Sequence, residues 1–315
     1  MNNPLVTILS PCYNVGQFLP KYFETVLGQT YVNLQVVLID DGSKDNTWAV
    51  MQEYAAMDSR VEVYHQENQG VSATRNNLLD KVKGDYVLFV DSDDWIELDM
   101  VEYLVKVAIE HNTKFVMCEM MVDDSKPRMP DSEIKILSQE QAVHDFLRHE
   151  YFIGSMCNKL LSSRLFHNER FHCGISYGED ALFCWRVLQK VDKVVLTDRQ
   201  LYHYRMNEGS ISHTNWTPEK KGTGHLVWEQ ISRETTILWP QYKSVADATF
   251  AISDMWNLYY ALKSNYKKDK YIDLYQAHVR HSLLLILRSG LVNMKKYLFA
   301  MLVSYSYRLG GIVVC

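Results

Sequence analysis

The sequence predicts an α/β protein with a mostly parallel sheet, followed by a helical appendage. Three observations predict it. Short apolar runs alternate with helical periodicity from the start to about residue 120. Several of those runs end abruptly in Asp, Asn or Gly, as buried strands do where they reach a loop. From about Pro218 onward, helical spacing takes over without interruption.

In order, Leu5 to Leu9 is a strand, and Ser10-Pro11-Cys12-Tyr13-Asn14 is the loop after it. Phe18, Leu19, Tyr22, Phe23, Val26 and Leu27 recur as one face of a helix, with Pro20 tolerated in its first turn. Leu34 to Ile39 is a second strand ending in Asp40-Asp41-Gly42-Ser43. Asp45 or Thr47 can cap the helix through Trp48, Met51 and Tyr54. Val61 to Tyr64, a helix over 70–82, Tyr86 to Val90, a helix through Val101 to Ile109, and Phe115 to Met120 complete the alternation. Such β-α succession implies right-handed crossovers, and parallel sheets bind ligands beyond the carboxyl ends of their strands. Residues 122–130 read as loop, and Ser138 with Gln141 forms a capping box for a helix to about His149. Gly178-Glu179-Asp180 opens another helix, and Val194 to Leu196 and Leu201 to Tyr204 read as two short strands. The appendage reads as helices around 226–238, 245–262, 271–287 and 291–309; the boundary is set at 1–215 and 216–315.

The stretch Tyr86 to Trp95 concentrates the chemistry: a buried strand breaks into Asp91, Asp93 and Asp94. Carboxylates so close repel, and hard oxygen ligands favour Mg²⁺ or Mn²⁺. Local sequence alone leaves a metal or phosphate site and a solvated acidic turn both open. A calcium loop is excluded, because Ile96 occupies the position that needs Gly. Topology would bring Pro11 to Asn14, Asp40-Asp41 and Asp91 to Asp94 to one sheet edge, which favours the functional reading. No glycine-rich phosphate loop of either common type is present, so bound phosphates would need metal and basic side chains. Arg75 is a candidate, with an ordinary surface arginine as the alternative.

Composition excludes some classes. A hydrophobic fraction of 47% suffices for a full core, and a net charge of −5 without basic-aromatic stretches argues against nucleic acid. Six cysteines without paired spacing read as reduced core residues of a cytoplasmic protein. No window offers the roughly 18 apolar residues of a span, and no signal peptide is evident. Lys295-Lys296 before an apolar stretch suits a helix lying on a membrane surface or packed on the body.

Five ordered segments then carry a resemblance: Ser10-Pro-Cys-Tyr-Asn-Val-Gly-Gln-Phe-Leu19, Val37-Leu-Ile-Asp-Asp-Gly-Ser43, Asn68-Gln-Gly-Val-Ser-Ala-Thr-Arg-Asn76, Val90-Asp-Ser-Asp-Asp-Trp95 and Gly178-Glu-Asp180. Over residues 4–215 the chain resembles the family two glycosyltransferases, of the type that builds bacterial surface polysaccharides. The resemblance implies the GT-A fold, a Rossmann-like, mostly parallel sheet with a C-terminal helical extension. It implies an inverting transferase using Mn²⁺ or Mg²⁺ and a nucleotide-sugar donor, typically UDP-linked, with a β product from an α-linked donor. By the same resemblance Pro11 and Tyr13 line the nucleoside pocket, Asp41 accepts from the base, and Arg75 and Asn76 fall near the nucleotide. Asp91 lies toward the ribose and Asp93 toward the metal and diphosphate. Asp180 matches the catalytic base, and Arg205, Ser210 and Ser212 match a loop over the diphosphate. His203 and His213 stand open between metal ligand and structural histidine. The implied acceptor is a saccharide or lipid-linked oligosaccharide at the inner face of the membrane, with membrane contact or homo-oligomerisation through the C-terminal helices. Two other readings remain: a hydrolase using two carboxylates, and an inactive nucleotide-sugar-binding subunit of an assembly complex.

Overall fold

The computed structural model describes residues 3–122, 133–150, 154–206, 215–307 and 310. The chain forms two compact units. The first comprises residues 1–142, 155–173 and 186–210; the second comprises 143–154, 174–185 and 211–315.

The first unit is built on one sheet in the order β3-β2-β1-β4-β8-β6-β9-β5, with β7 paired to β9. Its strands are β1 (Val6–Cys12), β2 (Leu34–Asp41), β3 (Val61–Gln66), β4 (Tyr86–Phe89), β5 (Trp95–Ile96), β6 (Phe115–Val122), β7 (Ile134–Ser138), β8 (Lys159–Ser162) and β9 (Lys193–Tyr204). Helices α1 (Leu19–Leu27), α2 (Thr47–Met57), α3 (Val71–Leu79) and α4 (Met100–Glu110) link the early strands. Strands β3, β2, β1 and β4 pair in parallel, as their β-α spacing requires. All eight residues of β2 are buried, and Val36 to Ile39 form its unbroken apolar stretch. Strand β4 lies beside β1 on the side away from β2, so the order reverses there and opens a switch point at the carboxyl ends of β1 and β4.

Beyond β4 the sheet is mixed, because β8 inserts antiparallel between β4 and β6, while β6 and β9 run parallel. β8 escaped the sequence reading because its first residue, the fully buried Lys159, interrupts the apolar signal. The lysine is tolerated there because its Nζ donates to the Ser155 carbonyl at 2.6 Å and Asn158 Oδ1 at 2.9 Å. The two short strands expected over 194–204 are one strand, β9, whose polar centre Asp198-Arg199-Gln200 is only partly buried. The core packs Leu19, Tyr22, Phe23 and Val26 of α1 and Leu104, Val105 and Ala108 of α4 with sheet residues Ile8, Val36, Leu38 and Leu88.

Helix α5 (Gln139–Arg148) begins as the capping box predicts: Gln141 N donates to Ser138 Oγ, and Ser138 N donates to Gln141 Oε1. Helix α6 (Glu179–Leu188) follows Gly178, whose φ of +87° and contact with Val227 at 3.3 Å from an added Cβ explain the glycine. The second unit continues with α7 (Gly224–Leu238), α8 (Lys243–Lys263), α9 (Lys270–His281), α10 (Leu283–Ser289) and α11 (Met294–Tyr305). The single helix expected over 271–287 breaks at Ser282, giving α9 and α10. This unit has its own core of Trp216, Met255, Leu258, Ile272, Tyr275, Val279, Ile286, Phe299 and Val303. None of its helices is long and apolar enough to cross a membrane, among the described residues. Cys12, Cys118, Cys157 and Cys184 are buried as expected, whereas Cys173 is exposed.

Candidate active site

The loops at the carboxyl ends of β1 and β2 are stitched together by side chains. Asn14 N donates to Ser43 Oγ at 2.9 Å, Val15 N to Thr47 Oγ1 at 2.9 Å and Gly16 N to Asp45 Oδ2 at 3.1 Å. Burial works against ionisation of Asp45, but hydrogen bonds from Thr47 and Gly16 outweigh it and hold the carboxyl below its ordinary pKa. Pro11 is bound from the other side, its carbonyl accepting from Ser92 Oγ at 2.7 Å. Tyr13 projects from this frame with half its surface exposed.

Asp41 is buried at the end of β2, and its carboxylate organises the start of α3. Oδ1 accepts from Gln66 Nε2 and Gln69 N, both at 2.8 Å, and Oδ2 accepts from Gly70 N at 2.9 Å. Gly42 turns the chain at φ +73°, where a Cβ would meet Asn68 N at 2.9 Å. Arg75 is not a surface arginine: it is buried on α3, with Nη2 3.4 Å from Asp91 Oδ1 and its guanidinium over the Phe171 ring. Asn76, expected near a nucleotide, uses its side-chain amide on the main chain of Phe171, donating to its carbonyl at 2.9 Å and accepting from its N–H at 2.7 Å.

The acidic stretch after β4 forms a tight turn, Asp94 N donating to the Asp91 carbonyl at 3.0 Å. Asp91 is partly open, and its Oδ2 accepts from Cys157 Sγ at 3.0 Å. Asp94 is only 1% exposed; Oδ2 accepts from Tyr202 Oη at 2.6 Å and Oδ1 from Arg205 N at 2.8 Å. Burial, then the charges of Asp91 and Asp93, push its carboxyl up to about 8 despite those bonds. The Cys12 thiol is raised as well, by burial first and then by Asp40, Asp93 and Asp91, with Ser92 opposing. Ends of β1, β2 and β4 therefore share one electrostatic environment, as the topology required.

Arg205 follows β9 and is locked in place. Nε donates to the Asp93 carbonyl at 2.8 Å, and the guanidinium lies 4.6 Å from the Trp95 ring centroid and 5.1 Å from that of Phe18. His203 stacks on Trp95 at 4.9 Å, with Nε2 2.6 Å from Glu97 Oε1. Asp180 stands in the first turn of α6, in the second unit. Ser210, Ser212 and His213 lie outside the described residues. Asp94, Cys157, Tyr202, Trp95 and Phe18 received no role from the sequence. Asp94, Trp95 and Phe18 lay inside the segments that carry the resemblance, whereas Cys157 and Tyr202 carried no signal of a site role.

Residues 7–168 match the family described as Glycosyl transferase family 2. The chain belongs to that family. Glycosyltransferase GlyA of Streptococcus pneumoniae is 33% identical over 244 residues, 74% of this chain but 34% of GlyA, so the chain spans about a third of that relative. TuaG of Bacillus subtilis, named for teichuronic acid biosynthesis, is 28% identical over 233 residues, 73% of this chain and 89% of TuaG. Among solved structures, Staphylococcus aureus TarS 1–349 in complex with UDP-GlcNAc superposes with a TM-score of 0.70 at 18% identity, covering 98% of this chain and 90% of that one. That likeness establishes the GT-A fold, including the helical C-terminal region.

Proposed function

We propose that this family 2 protein moves a sugar from a nucleotide sugar, UDP-linked, to a hydroxyl of a saccharide acceptor during synthesis of a cell-surface polysaccharide, by a single inverting displacement. The observation that carries the reading is the gathering of Asp41, Arg75, Asp91, Asp93, Asp94 and Arg205 at the switch-point edge of the sheet. The names of GlyA, TuaG and the UDP-GlcNAc complex of TarS support the reaction class and the donor.

The donor set suits a hard divalent cation. Burial and the neighbouring charges of Asp91 and Asp93 push the Asp94 carboxyl up to about 8, and Arg75 Nη2 lies 3.4 Å from Asp91 Oδ1. Asp93 would hold Mn²⁺ or Mg²⁺, with Asp91 toward the ribose. When bound, the ion supplies Lewis-acid charge to a departing nucleoside diphosphate.

The protein's own groups divide the remaining work. Pro11 and Tyr13 flank the nucleoside. Asp41 accepts three hydrogen bonds already, and a carboxylate has about four acceptor sites, so it can take one more from a base N–H. Arg205, stacked and tied to Asp93, presents a fixed positive charge to the leaving group, with Ser210 beside it in sequence. Asn76 acts through Phe171, whose ring backs Arg75. Asp180, presented at a helix start, takes the proton of the attacking hydroxyl. Residues 1–215 are the catalytic part and 216–315 the accessory helices.

An acceptor carried on lipid would call for membrane contact. Helix α11 leaves Met294, Leu298, Leu302 and Tyr305 exposed in one stripe beside Lys295 and Lys296, which suits an anionic membrane surface at the cytoplasmic face. A thermal-shift screen of nucleotide sugars with and without Mn²⁺ or Mg²⁺ tests the proposal. A UDP-sugar should raise Tm only with metal; no shift with any nucleotide sugar under either metal overturns it.

A further inference from the structure

The second unit contains a cluster that the transfer reaction does not use. Asp254, on α8, is fully buried. His225 of α7 places Nδ1 2.8 Å from one carboxylate oxygen and 2.9 Å from the other, and His278 of α9 places Nδ1 2.7 Å from Oδ2. Asn257 Nδ2 stands 3.5 Å from Oδ1. A buried carboxylate needs a counter-charge. Among the described residues no lysine or arginine reaches Asp254; the titratable side chains in contact with it are the two imidazoles.

We propose that His225, Asp254 and His278 form a metal site for Zn²⁺ or a like transition-metal ion, bound by two imidazole nitrogens and a carboxylate oxygen. The three ligand atoms lie within 4.8 Å of one another. Zinc bonds of about 2.0–2.2 Å place tetrahedral ligands roughly 3.4 Å apart, so the nitrogen–oxygen separations need to open by only about half an ångström. Imidazole with carboxylate selects zinc-like ions over Mg²⁺ or Ca²⁺, and three protein ligands leave a fourth position for water. The rings are held by packing: Phe250 lies 4.9 Å from the His225 ring and 4.2 Å from that of His278, and Tyr275 lies 5.3 Å from His225. Both histidine side chains keep some exposure, 12% and 24%, so an ion can enter. Bound metal would pin α7, α8 and α9 together and add to the stability of this unit.

Untagged full-length protein, stripped with EDTA and dialysed, is titrated with CoCl₂ while the visible d–d bands are followed, then with ZnCl₂. One Co²⁺ per chain should give tetrahedral absorption, be displaced by Zn²⁺, and persist in Asp93→Ala. His225→Gln and His278→Gln, checked for native circular dichroism, should each weaken binding at least tenfold. Absence of binding in the wild type overturns the proposal. Binding that survives both histidine substitutions, or that vanishes in Asp93→Ala, overturns it too.

Discussion

Replacing Asp94 by Asn should make the metal-free protein gain stability relative to wild type as the pH rises. The Asp94 carboxyl is raised from an ordinary 3.8 to about 8 by burial and by Asp91 and Asp93. Between those two values the folded state holds a proton that the unfolded chain has released, so wild-type stability falls as pH rises. The stabilisation is complete below the unfolded pKa and gone above the folded one. The slope approaches about 1.4 kcal/mol per pH unit, so wild type loses about 2–3 kcal/mol between pH 5 and pH 7. Asn removes the titration; its oxygen can accept from Arg205 N and its amide can donate to Tyr202 Oη, but that buried hydroxyl, which also accepts from Asp91 N, then gives up its own acceptor at a cost that does not vary with pH. Urea unfolding in EDTA at pH 5, 6, 7 and 8 measures the two proteins side by side. The stability of Asp94→Asn minus that of wild type should grow by about 2–3 kcal/mol from pH 5 to pH 7. Parallel curves would show that Asp94 is ionised in the folded protein without cost.

Asp93→Ala should abolish metal-dependent binding of the nucleotide sugar; unchanged calorimetric binding with Mn²⁺ would remove Asp93 from the metal. Asp180→Asn should fold normally and lose roughly a hundredfold or more in transfer, and near-native turnover would exclude it as the base. Gly178→Ala forces a side chain into φ +87° and against Val227, costing about 1–3 kcal/mol in thermal stability; an unchanged Tm would contradict the strain. Lys295→Glu with Lys296→Glu should reduce co-sedimentation with anionic vesicles by about 1 kcal/mol per lysine, and equal recovery would argue against membrane docking by α11.

Much of the architecture is legible in local pattern. Val36 to Ile39 and Val87 to Phe89 lie in strands buried on both faces, and an unbroken apolar run records that. Ser138 and Gln141 announce a helix start because the capping bonds span three residues. The acidic ends of β2 and β4 follow from the same alternation, which forces parallel strands to deliver their carboxyl ends to one edge.

What chain-distant residues do to one another is written only in the tertiary structure. Asp94 reads as one more acid in a turn until Tyr202 and Arg205, more than a hundred residues on, enclose it. The tie between the Asn76 amide and the Phe171 main chain shows only once the two segments meet, and His225, Asp254 and His278 mean nothing together until three helices pack. Periodicity records which face of an element is buried, a local property. Protonation, ion pairing and metal affinity depend on which distant groups share that burial, and only packing decides that.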